Sequence, residues 1–187
     1  MPVLREDGEK EGILEAAKLM LISARTAPKS GGVDDLVVVV VYGREKDEIV
    51  IEMEKIAEER GNEGFVRDGK NLSDSDVVLL VGVKGPKSFG LNCGACGYET
   101  CEAFQKAGEK QGQDFVGPMC LFKALDLGIA LGSAAKTASI LNVDNRIMYR
   151  IGTAAKRLGL LPQAQIIMGI PLCAAGKNIY FDRSKKT

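Results

Sequence analysis

Three of the chain's five cysteines stand close together in Cys93-Gly-Ala-Cys96-Gly-Tyr-Glu-Thr-Cys101, and a fourth, Cys120, follows after 18 further residues. Thiolates are soft ligands, and four of them complete an iron–sulfur cluster or a structural zinc site. Two cysteines two residues apart can grip one centre from a single turn. The spacing C-x2-C-x4-C-x18-C matches neither of the common ferredoxin spacings, so the residues by themselves indicate a metal centre of either kind. Three details point toward iron and sulfur. The residues beside the cysteines are small or apolar, which suits a dry pocket. Gly94 and Gly97 let the loop wrap closely with positive φ. A zinc knuckle more often pairs two C-x2-C units, and the second is absent. One compact loop supplies three ligands, which favours [4Fe–4S] over [2Fe–2S]. Cys173 stands apart in Pro171-Leu-Cys-Ala-Ala and reads as a small buried residue.

The rest of the composition narrows the chemistry. Among 187 residues there is no histidine, so His-based nucleophile activation, His-ligated zinc and an imidazole switch are all excluded. Lys plus Arg equals Asp plus Glu at 25 each, which argues against a nucleic-acid binder. The charge is uneven. Residues 44–76 are acidic, and residues 121–187 carry 10 basic against 3 acidic side chains, so an anionic cofactor or partner would be met by the last third. No apolar run approaches the roughly 18 residues of a membrane span, and Met1 to Lys18 has no apolar signal core. A cytoplasmic protein is expected. The odd cysteine count in a reducing compartment argues against a disulfide framework.

These cysteines must be held by surrounding elements. Apolar residues at helical spacing (Ile13, Ala16, Ala17, Met20, Ala24) predict a helix over 9–26, ended by Pro28 to Gly32. Leu36 to Tyr42 and Asp76 to Val83 read as strands covered on both faces. A second helix spans 45–60, with Ile49, Met53, Ile56 and Ala57 inward and Gly61 as its stop. Beyond the Gly-rich 85–97 stretch, a short helix is expected over 99–111 and a return loop over 113–118. A long Leu/Ala helix follows from Met119 to about Ala138. A short strand is expected over 140–143, a helix capped by Asp144 over 145–158, and a strand over 165–170. This order describes a mixed α/β layer protein with a cysteine-bearing insert. Cys101 and Cys120 fall in the first turns of two helices, whose N-terminal dipoles would face an anionic centre.

The segment CGACGYETC together with Cys120 closely resembles the four-cysteine [4Fe–4S] domain of the corrinoid iron–sulfur protein and of the Rnf electron-transport complex, over about residues 84–125. The remainder resembles FMN-dependent nitroreductases. Ala27-Pro-Lys-Ser-Gly-Gly32 and its Val-rich strand are similar to that family's phosphate-proximal turn. The long helix through Gly132 and the strand ending Met168-Gly-Ile-Pro171 are similar to its central helix and late Gly-x-Pro turn. Taken whole, the chain resembles bacterial and archaeal proteins described as containing a ferredoxin domain. The resemblance implies an α+β fold. Residues 1–187 would form one nitroreductase-like layered α/β sandwich, carrying an inserted Cys-rich segment at 84–125. It implies a homodimer with flavin at the subunit interface. Arg25, Lys29 and Ser30 would lie on the flavin side of the first turn, with Lys177 and Arg183 neutralising its phosphate. In place of that family's Asn-x-Gln-Pro-Trp segment stands Gly32-Val-Asp-Asp-Leu36, whose Asp34 and Asp35 bring negative charge to the turn.

Three functions fit these residues. The first is one-electron transfer through a [4Fe–4S] cluster held by Cys93, Cys96, Cys101 and Cys120, serving a redox partner protein. The second is an oxidoreductase pairing that cluster with FMN and reducing a small molecule. The third is a structural metal module. Ile179-Tyr-Phe181 could dock on a partner subunit or pack on its own core.

Overall fold

The computed structural model describes residues 2–85 and 87–181. Three long apolar runs become the strands β1 (Leu36–Tyr42), β2 (Val77–Lys84) and β6 (Ala164–Cys173). With the two-residue β5 (Asp144–Asn145) they form one antiparallel sheet in the order β1-β2-β6-β5. β2 is central and buried throughout most of its length, so its side chains split by the two-residue strand period. Val77, Leu79, Val81 and Val83 enter one core, and Val78 and Leu80 the other.

Helices cover both faces. α1 (Arg5–Thr26) and α5 (Leu121–Ile140) lie on the first, where Ile13, Met20, Ala24, Leu127, Ala130 and Ala134 meet the sheet. α2 (Arg44–Arg60), α3 (Glu63–Ser73) and α6 (Tyr149–Arg157) lie on the second, through Ile49, Met53, Ile56, Phe65, Leu72 and Ile151. The result is a three-layer α/β/α sandwich. α1 and α5 are also tied directly. Ser23 Oγ and Thr137 Oγ1 are 2.6 Å apart, and Ser133 Oγ donates to the Ser23 carbonyl at 3.0 Å.

The segment between β2 and α5 stands outside these layers. It holds the short helix α4 (Cys101–Lys106) and a two-residue hairpin, β3 (Lys110–Gln111) with β4 (Val116–Gly117). Gln165 fastens its stems. The buried Gln165 side chain lies against Gly85, and its Nε2 donates to Glu109 Oε1 at 3.1 Å.

Four expectations need correction. The strand expected over 140–143 is absent, because α5 runs on to Ile140 and the chain turns at Asn142, whose φ is 57°. Asp144 caps no helix: it pairs with Cys173 in the sheet, and the helix starts after Met148. The helix expected over 99–111 ends at Lys106, with Gly108 at φ 67° behind it. Between Gly61 and β2 lies α3, a helix not expected at all. It is started by the Asn62 side chain, which accepts from the Gly64 amide at 2.9 Å.

Candidate metal centre

Cys93 and Cys96 sit on the loop after β2, Cys101 is the first residue of α4, and Cys120 is the residue before α5. Local sequence explains each placement. Asn92 at φ 49°, Gly94 at 71° and Gly97 at 84° adopt left-handed conformations that bend the loop back on itself. Thr100 caps α4 through Oγ1, which accepts from the Ala103 amide at 3.1 Å. All four cysteines line one small cavity with Phe89, Leu91, Tyr98, Leu121 and Phe122. Cys93 is its exposed edge and Cys120 its buried floor. Among the described residues no three Cys, Asp or Glu side chains are grouped so that they could hold a single metal ion.

Cys101 is the best-supported of the four. The Asn92 amide donates to its Sγ at 3.3 Å, and Asn92 Oδ1 accepts from the Cys101 amide at 2.8 Å. The Asn92 amide above all, with the Ser88 hydroxyl and the Gly90 and Leu91 amides, holds this thiol below the ordinary range against an opposing effect of burial. Donors aimed at a sulfur from the backbone suit a bound anionic sulfur centre. The mostly apolar walls and the two helix starts beside the pocket are of the chemistry that suits an iron–sulfur cluster, and Cys93, Cys96, Cys101 and Cys120 are the residues that would hold one.

The residues expected near a flavin are divided. Lys29 and Ser30 lie together at the turn after α1, beside α5. The Ser30 amide and hydroxyl both donate to Asp126 Oδ1, each at 2.8 Å. Lys29 Nζ donates to the carbonyls of Arg25 at 2.5 Å and Ala27 at 2.7 Å. Arg25 pairs with Asp34. Burial first, then the charge of Arg25, push the Lys29 pKa down, while Asp126 opposes them. The donors of this turn are therefore already met by groups of the same chain. Lys177 lies past the opposite end of the sheet, after Cys173, and is not brought to this turn within one chain. Arg183 lies outside the described residues. In the tail, Tyr180 packs into the chain's own core and Ile179 lies partly against it, while Phe181 is exposed beneath Arg146.

The turn and the thiol pocket are neighbours. The Phe89 ring lines the pocket, stacks on Phe122 at 5.3 Å, and covers Gly31 so closely that a Cβ there would fall 2.7 Å from it. Beneath them lies a buried ionic group that no sequence pattern revealed. Lys123 Nζ is 2.8 Å from Asp35 Oδ2 and 4.0 Å from Asp126 Oδ2. Among the described residues no helix is long and apolar enough to cross a membrane.

Residues 90–112 match a family of Fe–S cluster segments, and residues 116–183 match the family described as "uncharacterized protein containing a ferredoxin domain". A protein of Archaeoglobus fulgidus is 50% identical over 181 residues, covering 97% of each chain. Among solved structures, one described as a nitroreductase in complex with FMN from Desulfovibrio desulfuricans aligns over 92% of this chain and 80% of its own. Its TM-score is 0.56 at 14% identity. Nitroreductase A from Vibrio parahaemolyticus aligns over 95% of this chain and 62% of its own, with a TM-score of 0.54 at 11% identity. The fold is that of the nitroreductases, and the matched cysteine segment supports an iron–sulfur redox role. By its matched segments and its full-length relative, the chain belongs to the family of proteins containing a ferredoxin domain.

Proposed function

We propose that this chain transfers single electrons through a [4Fe–4S] cluster held by Cys93, Cys96, Cys101 and Cys120 in the segment 84–125. The observation that carries the reading is that all four cysteines line one mostly apolar cavity, with an amide donating to Cys101 Sγ. Such a cluster supplies the redox change itself. The chain's part is to ligate, to exclude water with Phe89 and Phe122, and to set the potential through amide donors. The exposed Cys93 edge gives a partner protein or small molecule an approach. No side chain is needed as acid, base or nucleophile. The third reading, a structural metal module, is favoured by no feature of this pocket.

A second reading adds FMN, and the fold neighbours favour it, one of them in complex with FMN. It requires Asp126 to release the Ser30 amide and hydroxyl. The cytoplasmic setting remains part of the proposal, as does a homodimer. The dimer is supported by the outward side of α5, where Leu121, Leu125 and Ile129 stand exposed at four-residue spacing.

The test is the absorption spectrum of protein purified without oxygen, before and after dithionite, with iron and acid-labile sulfide assayed on the same sample. A broad brown absorption that bleaches, with about four irons per chain, is expected for a cluster of this type. Flavin bands beneath it would move the second reading ahead. A colourless protein holding zinc and no sulfide would overturn both.

A further inference from the structure

The wall of the thiol pocket leans on a residue far from it in sequence. Phe89, which lines the pocket, sets one edge of its ring over Gly31. A Cβ on Gly31 would fall 2.7 Å from Phe89 Cε2, well inside van der Waals contact, and 3.1 Å from its Cζ. The bare Cα of a glycine is what lets the ring lie there.

Both partners of this contact are held from one helix. Asp126 on α5 fixes the turn, because its Oδ1 accepts from the amide and the hydroxyl of Ser30, each at 2.8 Å. The turn also closes on itself: the Gly32 amide donates to the Lys29 carbonyl at 3.0 Å, and the Val33 amide to the Ser30 carbonyl at 3.3 Å. Phe122 lies four residues before Asp126, hence on the same side of α5, and backs the Phe89 ring at 5.3 Å between centroids. Cys120, the pocket's buried floor, stands just before that helix. The turn cannot recede from the ring without losing its bonds to Asp126. Phe89 stands on the loop after β2, half-buried and outside the helices and sheet. A Cβ at position 31 therefore moves the ring and not the turn, and a displaced ring opens the pocket to water. Water stabilises the more highly charged member of a redox couple, which for a thiolate-bound cluster is the reduced one.

We infer that Gly31 is a positioning residue for the cysteine pocket: it seats Phe89, and the seated ring keeps water from the sulfurs. The effect on potential rests on the proposed iron–sulfur reading, while the effect on access to Cys120 rests on the pocket alone. Gly32 supplies the control. It has φ 69° in the same turn, beside φ 61° at Gly31, but a Cβ there meets nothing within 4 Å. Alanine at either position carries the strain of a positive φ. Only at position 31 does it also strike the ring.

The test compares wild type, Gly31→Ala and Gly32→Ala as whole proteins purified without oxygen, with iron and sulfide assayed on each. The midpoint potential and the rate of bleaching in air are measured first. The metal is then removed with a chelator, and the alkylation of Cys120 by iodoacetamide is followed by mass spectrometry, with a thermal melt to confirm folding. Gly31→Ala should raise the potential, bleach several-fold faster and alkylate at Cys120 several-fold faster. Gly32→Ala should melt lower than wild type yet match it in potential, bleaching and alkylation. Phe89→Ala, which leaves room for a Cβ, is the second variant. It should raise the same quantities, and adding Gly31→Ala to it should raise them no further. The inference is overturned if Gly31→Ala and Gly32→Ala behave alike, if Phe89→Ala has no effect, or if Gly31→Ala acts as strongly without the ring as with it. A wild-type sample holding no iron or sulfide would overturn the proposed function, and the alkylation rates would then decide the inference by themselves.

Discussion

Asn92 and Cys101 hold each other reciprocally: the Asn92 amide donates to Cys101 Sγ at 3.3 Å, while Asn92 Oδ1 accepts from the Cys101 amide at 2.8 Å. One residue thus caps the start of α4 and supports a thiol at the same time. It does so from a left-handed conformation, φ 49°, which asparagine tolerates better than most residues.

That double role separates two substitutions. Asn92→Gly keeps the backbone conformation and the amide donor and loses only the side-chain acceptor, costing roughly 1 kcal/mol at this exposed position. Asn92→Ala loses the same acceptor and must also hold a positive φ, adding about 1–2 kcal/mol. Thermal melts should rank wild type above Asn92→Gly and that above Asn92→Ala. Cofactor loss in air should follow the same order. An alanine variant as stable as wild type would show that the pair does not hold the loop.

Cys120 and Cys173 are both buried, yet only Cys120 lines the thiol pocket. On the proposed [4Fe–4S] reading, Cys120→Ala should bring iron from about four per chain to well below one. Cys173→Ala should leave it unchanged, since that side chain lies in the core among the helices of the second face. Iron and sulfide assays on anaerobic samples decide this. Equal losses in the two variants would remove Cys120 from the ligand set.

The stems of the cysteine segment make a second, independent test. A Cβ on Gly85 would fall 1.7 Å from Gln165 Oε1 and 2.0 Å from its Cδ, so Gly85→Ala must expel a buried side chain that also holds Glu109. A cost of about 1–3 kcal/mol is expected. Adding Gln165→Ala should recover part of it, a coupling that a double-mutant cycle measures. Strict additivity would mean the two residues do not meet.

How much of this could be read in advance follows from the range of the interactions. The inward faces of α1 and α2 were legible residue by residue, because Ile13, Met20, Ile49 and Ile56 repeat at the helical period. The left-handed Gly61 marks the end of α2 for the same local reason. α3 was hidden. It follows Gly61 after one residue and carries Gly64 and Gly69, so the turn signal masked a helix that is stabilised by burying Phe65 and Leu72. The cysteine segment was legible because its ligand spacing is short. The Asp35–Lys123–Asp126 group was not. It forms only when α5 packs beside the turn after α1, as the contact between Ser30 and Asp126 shows across 96 positions. The sequence places the negative charge of Asp34 and Asp35 at the turn but not its partner: Asp35 is buried against Lys123.

The edge of the sheet opposite the turn at Ser30 makes stability fall in alkali. Burial above all, then the charges of Asp76 and Asp144, push the Cys173 thiol upward. Burial likewise raises the Tyr180 phenol, against the opposing Ser75 contact at 2.8 Å. Both groups are neutral in the folded chain. Once pH passes the ordinary thiol value, near 8.5, the unfolded chain ionises at Cys173 while the folded chain does not. Their contribution is whole below that pH and is lost as pH rises toward the raised folded value, at up to about 1.4 kcal/mol per pH unit for each group. Tyr180 joins only above about pH 10. Urea unfolding at pH 8, 9 and 10 should show a falling midpoint that flattens between pH 8 and 10 in Cys173→Ala. Tyr180→Phe should instead lower stability by about the same amount, roughly 1 kcal/mol, at pH 8 and 9, through the lost bond to Ser75. An alkaline slope that is the same in wild type and Cys173→Ala would place its cause elsewhere in the chain.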